Sequence, residues 1–262
     1  MTGALTPLTT DQFIAAIAAD ELFVEYQPIV VRDPRRIVML EALVRWQHPA
    51  HGRLEPDRFI DLAERSAPAI DALTCGVLAR AARDYGRLVE AGYDTPIAVN
   101  ISGRNLDARD FPERVAAILR DARVPIGRFS LELTETAAFA EHLTSIDVFA
   151  RLRLKGLRLA IDDFGAGFSS LKRLKQLPFS TIKIDRSFIA DLPQRDAVAV
   201  VKSIVDLARN MQLDCIAEGI ESAETASLLE SLGVTQLQGD HFAPPQSVEQ
   251  TVAWLADWRC AA

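Results

Sequence analysis

The stretch LFVEYQPIVVRDPRRIVMLEALVRW (Leu22–Trp46) holds two β-rich runs, Leu22–Val31 and Ile37–Trp46, joined by a short polar turn around Asp33–Arg36. That turn is too short for a helical crossover, so the two strands must pair antiparallel. Downstream the pattern changes. Further strand candidates lie at Pro96–Ile101, Arg128–Leu133, Leu157–Asp162, Thr181–Asp185, Leu213–Glu218 and Thr235–Gln238. They alternate with the stretches Ile70–Glu90, Pro112–Asp121, Ala138–Leu154, Asp196–Asn210 and Ala223–Leu232, whose apolar residues recur at helical spacing. Strands interleaved with helices, without a Pro/Gly/Ser-rich linker, predict a single α/β domain over residues 1–262 with its core at 22–258. The expected architecture is a modified TIM (β/α)8 barrel whose first strand pair is antiparallel.

The 262 residues are 49% hydrophobic and 25% charged, enough to bury a full core. A net charge of -7 and a pI near 5.2 argue against a non-specific grip on DNA or other nucleic acid. An acidic chain can still hold an anion where metal ions or a few basic groups reverse the local field. Cys75, Cys215 and Cys260 stand far apart with no CxxC pair, which predicts reduced thiols and a cytoplasmic setting. The first residues, MTGALTPLTTDQF, lack the regions of a signal peptide, and no apolar run is long enough to span a bilayer. The expectation is a segment without membrane contact, with room for a sensor or anchor in a longer parent protein.

Alternation within the strands carries the functional information. In FSLEL, Phe129, Leu131 and Leu133 share one face and leave Ser130, Glu132 and then Thr134 on the other. The same parity sets Asn100, Asp162, Lys183, Asp185, Glu218 and Gln238 opposite apolar neighbours. Helices cover the outside of a barrel, so the polar set should converge at one mouth. Crowded carboxylates repel and must take up protons or cations. Hard divalent ions such as Mg2+ or Mn2+ favour these oxygen ligands, and the adjacent Asp162-Asp163 pair suits two of them. A lysine beside them can steady an attacking hydroxide or the charge on phosphorus.

Plainer readings compete with this one. Glu41 or Glu132, taken singly, fits a surface or salt-bridged residue. DDFGAGFSS (Asp162–Ser170) could be a tight turn in which Ser169 or Ser170 caps a helix. His48 and His51 lie in a Pro/Gly loop without an HExxH pattern, there is no GxSxG turn, and Cys215 suits a core thiol. Structural ion pairs need basic partners, however, and the inward set offers few.

The segments YQPIV (Tyr26–Val30), EALVRW (Glu41–Trp46), PDRFIDLAE (Pro56–Glu64), VNIS (Val99–Ser102) and LELTET (Leu131–Thr136) continue into AIDDFGAGFSSL (Ala160–Leu171), IKIDRSF (Ile182–Phe188), IAEGIES (Ile216–Ser222) and LQGDHFAPP (Leu237–Pro245). In this order and spacing the chain resembles the EAL domain of cyclic di-GMP phosphodiesterases. The resemblance implies hydrolysis of cyclic di-GMP to linear 5'-pGpG with two Mg2+ or Mn2+ ions. It implies Glu41, Asn100, Glu132 and Asp162 as ligands of one ion, and Asp162, Asp163 and Glu218 as ligands of the other. Lys183 matches the lysine that contacts the nucleophilic water, and Glu218 a general base. Gln27, Leu43, Arg45, Asp185 and Gln238 match positions near the dinucleotide, Arg45 as a phosphate partner. Glu135 resembles a glutamate that tethers the DDFG loop, and Glu221 a supporting acid. A homodimer formed through the region after that loop is also implied.

The chain departs from the family pattern at Asp240 and His241, where an aromatic residue usually follows the Gln-Gly pair, and Asp240 is expected to weaken binding of an anion. Pro244 replaces a frequent basic residue, Met39-Leu40 precedes Glu41 where glycine is common, and Gly76 replaces a usual tryptophan. None of these removes a ligand position. The alternative is a catalytically silent cyclic di-GMP receptor acting through a protein partner, but silent members lose positions that this chain keeps.

Overall fold

The computed structural model describes residues 8–32, 35–140, 145–167 and 171–260. The turn residues Asp33 and Pro34 and the proposed caps Ser169 and Ser170 lie outside them. Among the described residues nine strands form one sheet: β1 (Leu22–Arg32), β2 (Arg35–His48), β3 (Gly52–Leu54), β4 (Ile97–Asn100), β5 (Phe129–Thr134), β6 (Arg158–Phe164), β7 (Thr181–Ile184), β8 (Asp214–Ala217) and β9 (Gln236–Gln238). The order β1-β9-β8-β7-β6-β5-β4-β2 closes through a β1–β2 pairing, and β3 hangs on the outer edge of β2. This is the expected modified barrel. β1 runs antiparallel to both of its neighbours, β2 and β9, while the ladders from β2 and β4 round to β8 and β9 are parallel.

Each strand lies within a few residues of its expected range, and β3 is new. Three residues between turn signals gave no periodicity to read. The expected long helices are present at Ala67–Glu90 and Arg195–Asn210. Ser66 caps the first of these by accepting from the Ala69 N–H. The expected helix Ala138–Leu154 is instead two, Glu135–Phe139 and Ser145–Leu154, because Ala140 leaves helical geometry at ψ 147°. The short helices Thr10–Ala18, Ile60–Glu64, Leu171–Gln176 and Arg186–Ala190, and the longer Val248–Cys260, were also not foreseen.

Strand parity divides the core in two. Val99, Leu131, Leu133, Ile182, Ala217 and Leu237 pack outward against the helices in one large cluster. Ile29, Met39, Ala98 and Ile216 form a small separate cluster. They share the parity of Gln27, Glu41, Asn100 and Glu218, so an apolar floor fills the barrel beneath a polar upper layer. Gly76 sits mid-helix, where an added Cβ would meet nothing within 4 Å, beside a hollow of about 160 Å³ lined in part by Leu22, Val24, Leu73 and Val77. The missing large side chain leaves space there rather than a repacked contact.

Candidate active site

Lys183 projects from β7 into the barrel, and its side chain is fully buried. Its Nζ lies 2.6 Å from Glu132 Oε2, 2.6 Å from Glu218 Oε1, 3.2 Å from Glu41 Oε2 and 3.4 Å from Asp162 Oδ2. These groups come from five strands or strand ends, and the sheet register explains their meeting. Asn100 pairs with Glu132 across β4–β5, Thr134 with Asp162 across β5–β6, and Gln27 with Glu41 across β1–β2.

Strict alternation would turn Asp163 away from Asp162. The β6–β7 ladder avoids this with a bulge: Ile161 pairs with Ile182 and Phe164 with Ile184, so β6 spends one residue more than β7. Asp163 takes the left-handed conformation, φ 53°, and its N–H donates to Asp162 Oδ1 at 2.9 Å. Both carboxylates stay on the mouth side. Asp163 shares a hydrogen bond with Asp185, which caps the helix Arg186–Ala190 by accepting from the Ser187 N–H at 2.8 Å.

One ammonium cannot neutralise four carboxylates, and the titration of the site reflects it. Burial, reinforced by Glu41 and Asp162, pushes the Glu132 carboxyl up to about 8 against the pull of Lys183. Burial and Asp162 drive Glu218 well above its ordinary value, and burial with Asp162 and Asp185 raises Asp163 to about 6. Burial would lower Lys183, but the carboxylates of Asp162, Glu132, Glu218 and Glu41 outweigh it and hold the ammonium charged. Glu41 keeps its charge for another reason. Burial opposes ionisation, yet Lys183 and hydrogen bonds from Gln238 Nε2 (2.7 Å) and Asn100 Nδ2 (2.7 Å) bring it below the usual range.

Such a centre suits hard cations. Carboxylate oxygens of Glu41, Glu132 and Asp162 lie within 4.8 Å of one another. Glu132 Oε1 is buried with no hydrogen-bond donor. Buried polar atoms normally find a partner, and a divalent ion is the partner that a set of oxygen ligands would accept.

Around the acidic centre lie the other expected residues. Gln238 Nε2 donates to Gln27 Oε1 at 3.0 Å, and Gln27 Nε2 donates to Asp240 Oδ1 at 3.1 Å and to the Ala243 carbonyl at 3.2 Å. A chain of amides thus runs from Asp240 at the exposed rim to Glu41. The glycine after Gln238 is required by close approach: a Cβ on Gly239 would sit 2.2 Å from the Ile220 backbone nitrogen and oxygen. Glu135, buried at the start of its helix, accepts from Gly165 N at 2.7 Å and Gly167 N at 3.4 Å, so its carboxylate fastens the loop after β6. A Cβ on Gly167 would fall 2.7 Å from Glu135 Oε1. Leu43 is half-buried and, with Asn100 and Thr134, lines a cavity of about 380 Å³ at the mouth.

Two expected site residues stand apart from this cluster. Glu221 is exposed and joins none of these contacts. Arg45 is buried on the mouth side of β2 but is engaged by Glu25 and Glu55. Sequence reading passed over these two acids, and over Glu64 and Ser102, which line the same cavity and bond to each other at 2.8 Å. The available signal was weak: the motifs holding Glu64 and Ser102 were recognised, but only the fold brings them together. Cys215 is a buried thiol pushed up to about 12 by burial and by Asp214, in the core as expected. His48 Nδ1 accepts from the Ala50 and His51 N–H groups, a turn contact.

A mixed β/α barrel with a lysine-centred acidic cluster at its C-terminal mouth defines a class of barrel proteins equipped for cation-assisted chemistry. Residues 11–245 match the EAL domain, and the chain belongs to that family. It is 38% identical over 247 residues to cyclic di-GMP phosphodiesterase NbdA of Pseudomonas aeruginosa, covering 93% of this chain and 31% of the relative. It is 35% identical over 221 residues to cyclic di-GMP phosphodiesterase RocR of the same organism, covering 84% of this chain and 56% of RocR. The chain therefore spans about a third to a half of these relatives' length. Among solved structures, the PaMucR phosphodiesterase in complex with c-di-GMP superposes with a TM-score of 0.86 at 34% identity, over 92% of this chain and 99% of the other.

Proposed function

We propose that this chain hydrolyses one phosphodiester of cyclic di-GMP to give linear 5'-pGpG. The observation that carries the reading is the ring of four carboxylates around the buried Lys183 ammonium. Family membership and the phosphodiesterase names of its relatives support the substrate. Two Mg2+ or Mn2+ ions, one held by Glu41, Asn100, Glu132 and Asp162 and one by Asp162, Asp163 and Glu218, would supply a water of lowered pKa and neutralise charge on the phosphate. The buried, donor-free Glu132 Oε1 fits such an ion.

The chain's own groups then have distinct tasks. Lys183 Nζ donates to the attacking oxygen and fixes its direction toward phosphorus. Glu218, in contact with Nζ at 2.6 Å, receives the proton that this oxygen loses. A new P–O bond forms to the water oxygen as the bond from phosphorus to the ribose 3' oxygen breaks. The departing 3' oxygen takes up a proton from solvent water, which leaves a 5'-phosphate and a free 3'-hydroxyl. Arg45 meets a phosphate oxygen, Gln27, Gln238 and Asp185 hold the dinucleotide, and Leu43 borders the base in the adjoining cavity. Glu135 keeps the loop that directly follows Asp162 and Asp163 in place.

The chain is proposed to work in the cytoplasm, within a longer parent protein that supplies a sensor. Among the described residues no helix is long and apolar enough to cross a membrane. A second copy is proposed to pair across the shallow depression beside the loop, where Gly165, Val200, Ile204 and Leu207 lie. Turnover of cyclic di-GMP with Mg2+ or Mn2+, compared with Glu41→Ala, tests the activity. Binding without turnover in the intact protein would make it a receptor instead.

A further inference from the structure

Arg45 is held more firmly than a phosphate-binding arginine needs to be. Its side chain is 5% exposed, and Nη1 donates to the Val44 carbonyl at 2.9 Å. Its Nε lies 3.0 Å from Glu25 Oε2 and equally 3.0 Å from Glu55 Oε2. Nε carries a single hydrogen, which is donated to Glu25. Glu55 is left with a charge contact. Arg53 completes a quartet, with Nε 3.0 Å from Glu25 Oε1, Nη2 2.5 Å from Glu25 Oε2 and Nη1 2.8 Å from Glu55 Oε1.

The two carboxylates are not equivalent. Glu25 is 13% exposed, stands opposite Leu43 in the β1–β2 ladder, and receives both arginines. Glu55 is 44% exposed, directly follows β3, and is bound only by ion pairs at the rim. A buried carboxylate with a directed hydrogen bond fixes the guanidinium, whereas a half-exposed one adds little energy but cancels charge. Two acids and two arginines leave the cluster neutral, so an arriving anion gains little from Arg45 while Glu55 stays in place.

We propose that Glu25 and Glu55 are opposed positioning residues for the phosphate contact. Glu25 is the strut that presents Arg45, and Glu55 is an internal competitor that the substrate phosphate displaces. β3 then serves as a clasp, because it carries Arg53 and leads directly into Glu55. This inference rests on the phosphodiesterase reading and sets how tightly the site takes an anionic dinucleotide.

The test is steady-state turnover of cyclic di-GMP by the full chain carrying Glu55→Gln, Glu55→Asp or Glu25→Gln, each over a range of NaCl. Glu55→Gln should lower KM by about three- to fivefold and steepen its salt dependence, since the pair it removes is worth little and the charge it frees is long-ranged. Glu55→Asp should return both towards wild type. Glu25→Gln should raise KM by about tenfold, because an arginine without its strut no longer meets the phosphate in one geometry. Opposite signs from two neighbouring acids are the signature. General field effects would lower KM in both variants, and a general loosening of the site would raise it in both. Either matched result overturns the proposal. If wild type itself neither binds nor hydrolyses cyclic di-GMP, the phosphodiesterase reading falls and takes this inference with it.

Discussion

Replacing Lys183 with alanine should expose the two roles of that residue separately. Nζ lies within 3.4 Å of four carboxylates and is fully buried. Removing one partner of a buried ion cluster costs about 3–5 kcal/mol, since it leaves buried charge uncompensated. Some of that cost will be relieved by proton uptake at Glu132 and Glu218, whose carboxyls already lie high. Saturating Mn2+ would neutralise the same carboxylates, so the penalty should shrink to about half or less of the metal-free value. Turnover should behave differently, falling about 10²–10³-fold even with metal present, the usual consequence of deleting a donor aimed at developing charge. Binding of cyclic di-GMP should weaken by less than turnover. Urea unfolding of wild type and variant in chelator and in Mn2+, beside kcat and the dissociation constant, reads all three. Equal destabilisation with and without metal, or comparable loss of binding and turnover, would refute the reasoning.

The metal-free protein should lose stability as pH rises from about 4.5 to 8. Glu132 is raised to about 8 and Glu218 well above its ordinary value, so the folded state binds these protons more tightly than the unfolded chain does. That advantage fades as pH climbs past the unfolded value. Urea midpoints in chelator should fall across this window and flatten in Mn2+, and a rise in chelator would contradict the assignment. Glu135→Ala should weaken the anchoring of Gly165 and Gly167 by about 1–3 kcal/mol and lower kcat, with hydrogen exchange rising at these two amides. Unchanged exchange would rule out the tether. Gly239→Ala should destabilise by about 3 kcal/mol or more, because its Cβ would lie 2.2 Å from the Ile220 backbone, and a wild-type melting temperature would disprove that close approach.

Strand parity made much of the barrel and of its centre legible. Glu132 and Lys183 each flank apolar residues that pack outward, and the alternation alone places both inside. What parity could not give was cross-strand register. It assigned Asp162 to the mouth but had no means to keep Asp163 there, because the bulge that does so appears only when β6 is laid against β7. The reversal of β1 against β2 followed from the length of the turn, whereas its second antiparallel pairing, with β9, joins chain ends far apart in sequence. Arg45 shows the same limit. Its partners Glu25 and Glu55 are plain in the sequence as acids, but their approach depends on the β1–β2 ladder and on β3, too short to leave a periodic signal.

The most direct test of the account is hydrolysis in H2(18)O. Purified protein with Mn2+ and cyclic di-GMP should yield linear 5'-pGpG carrying one 18O in its 5'-phosphate, and Glu41→Ala or chelator should yield none. Binding of the dinucleotide without product would contradict the central claim, as would product whose phosphate carries no solvent oxygen.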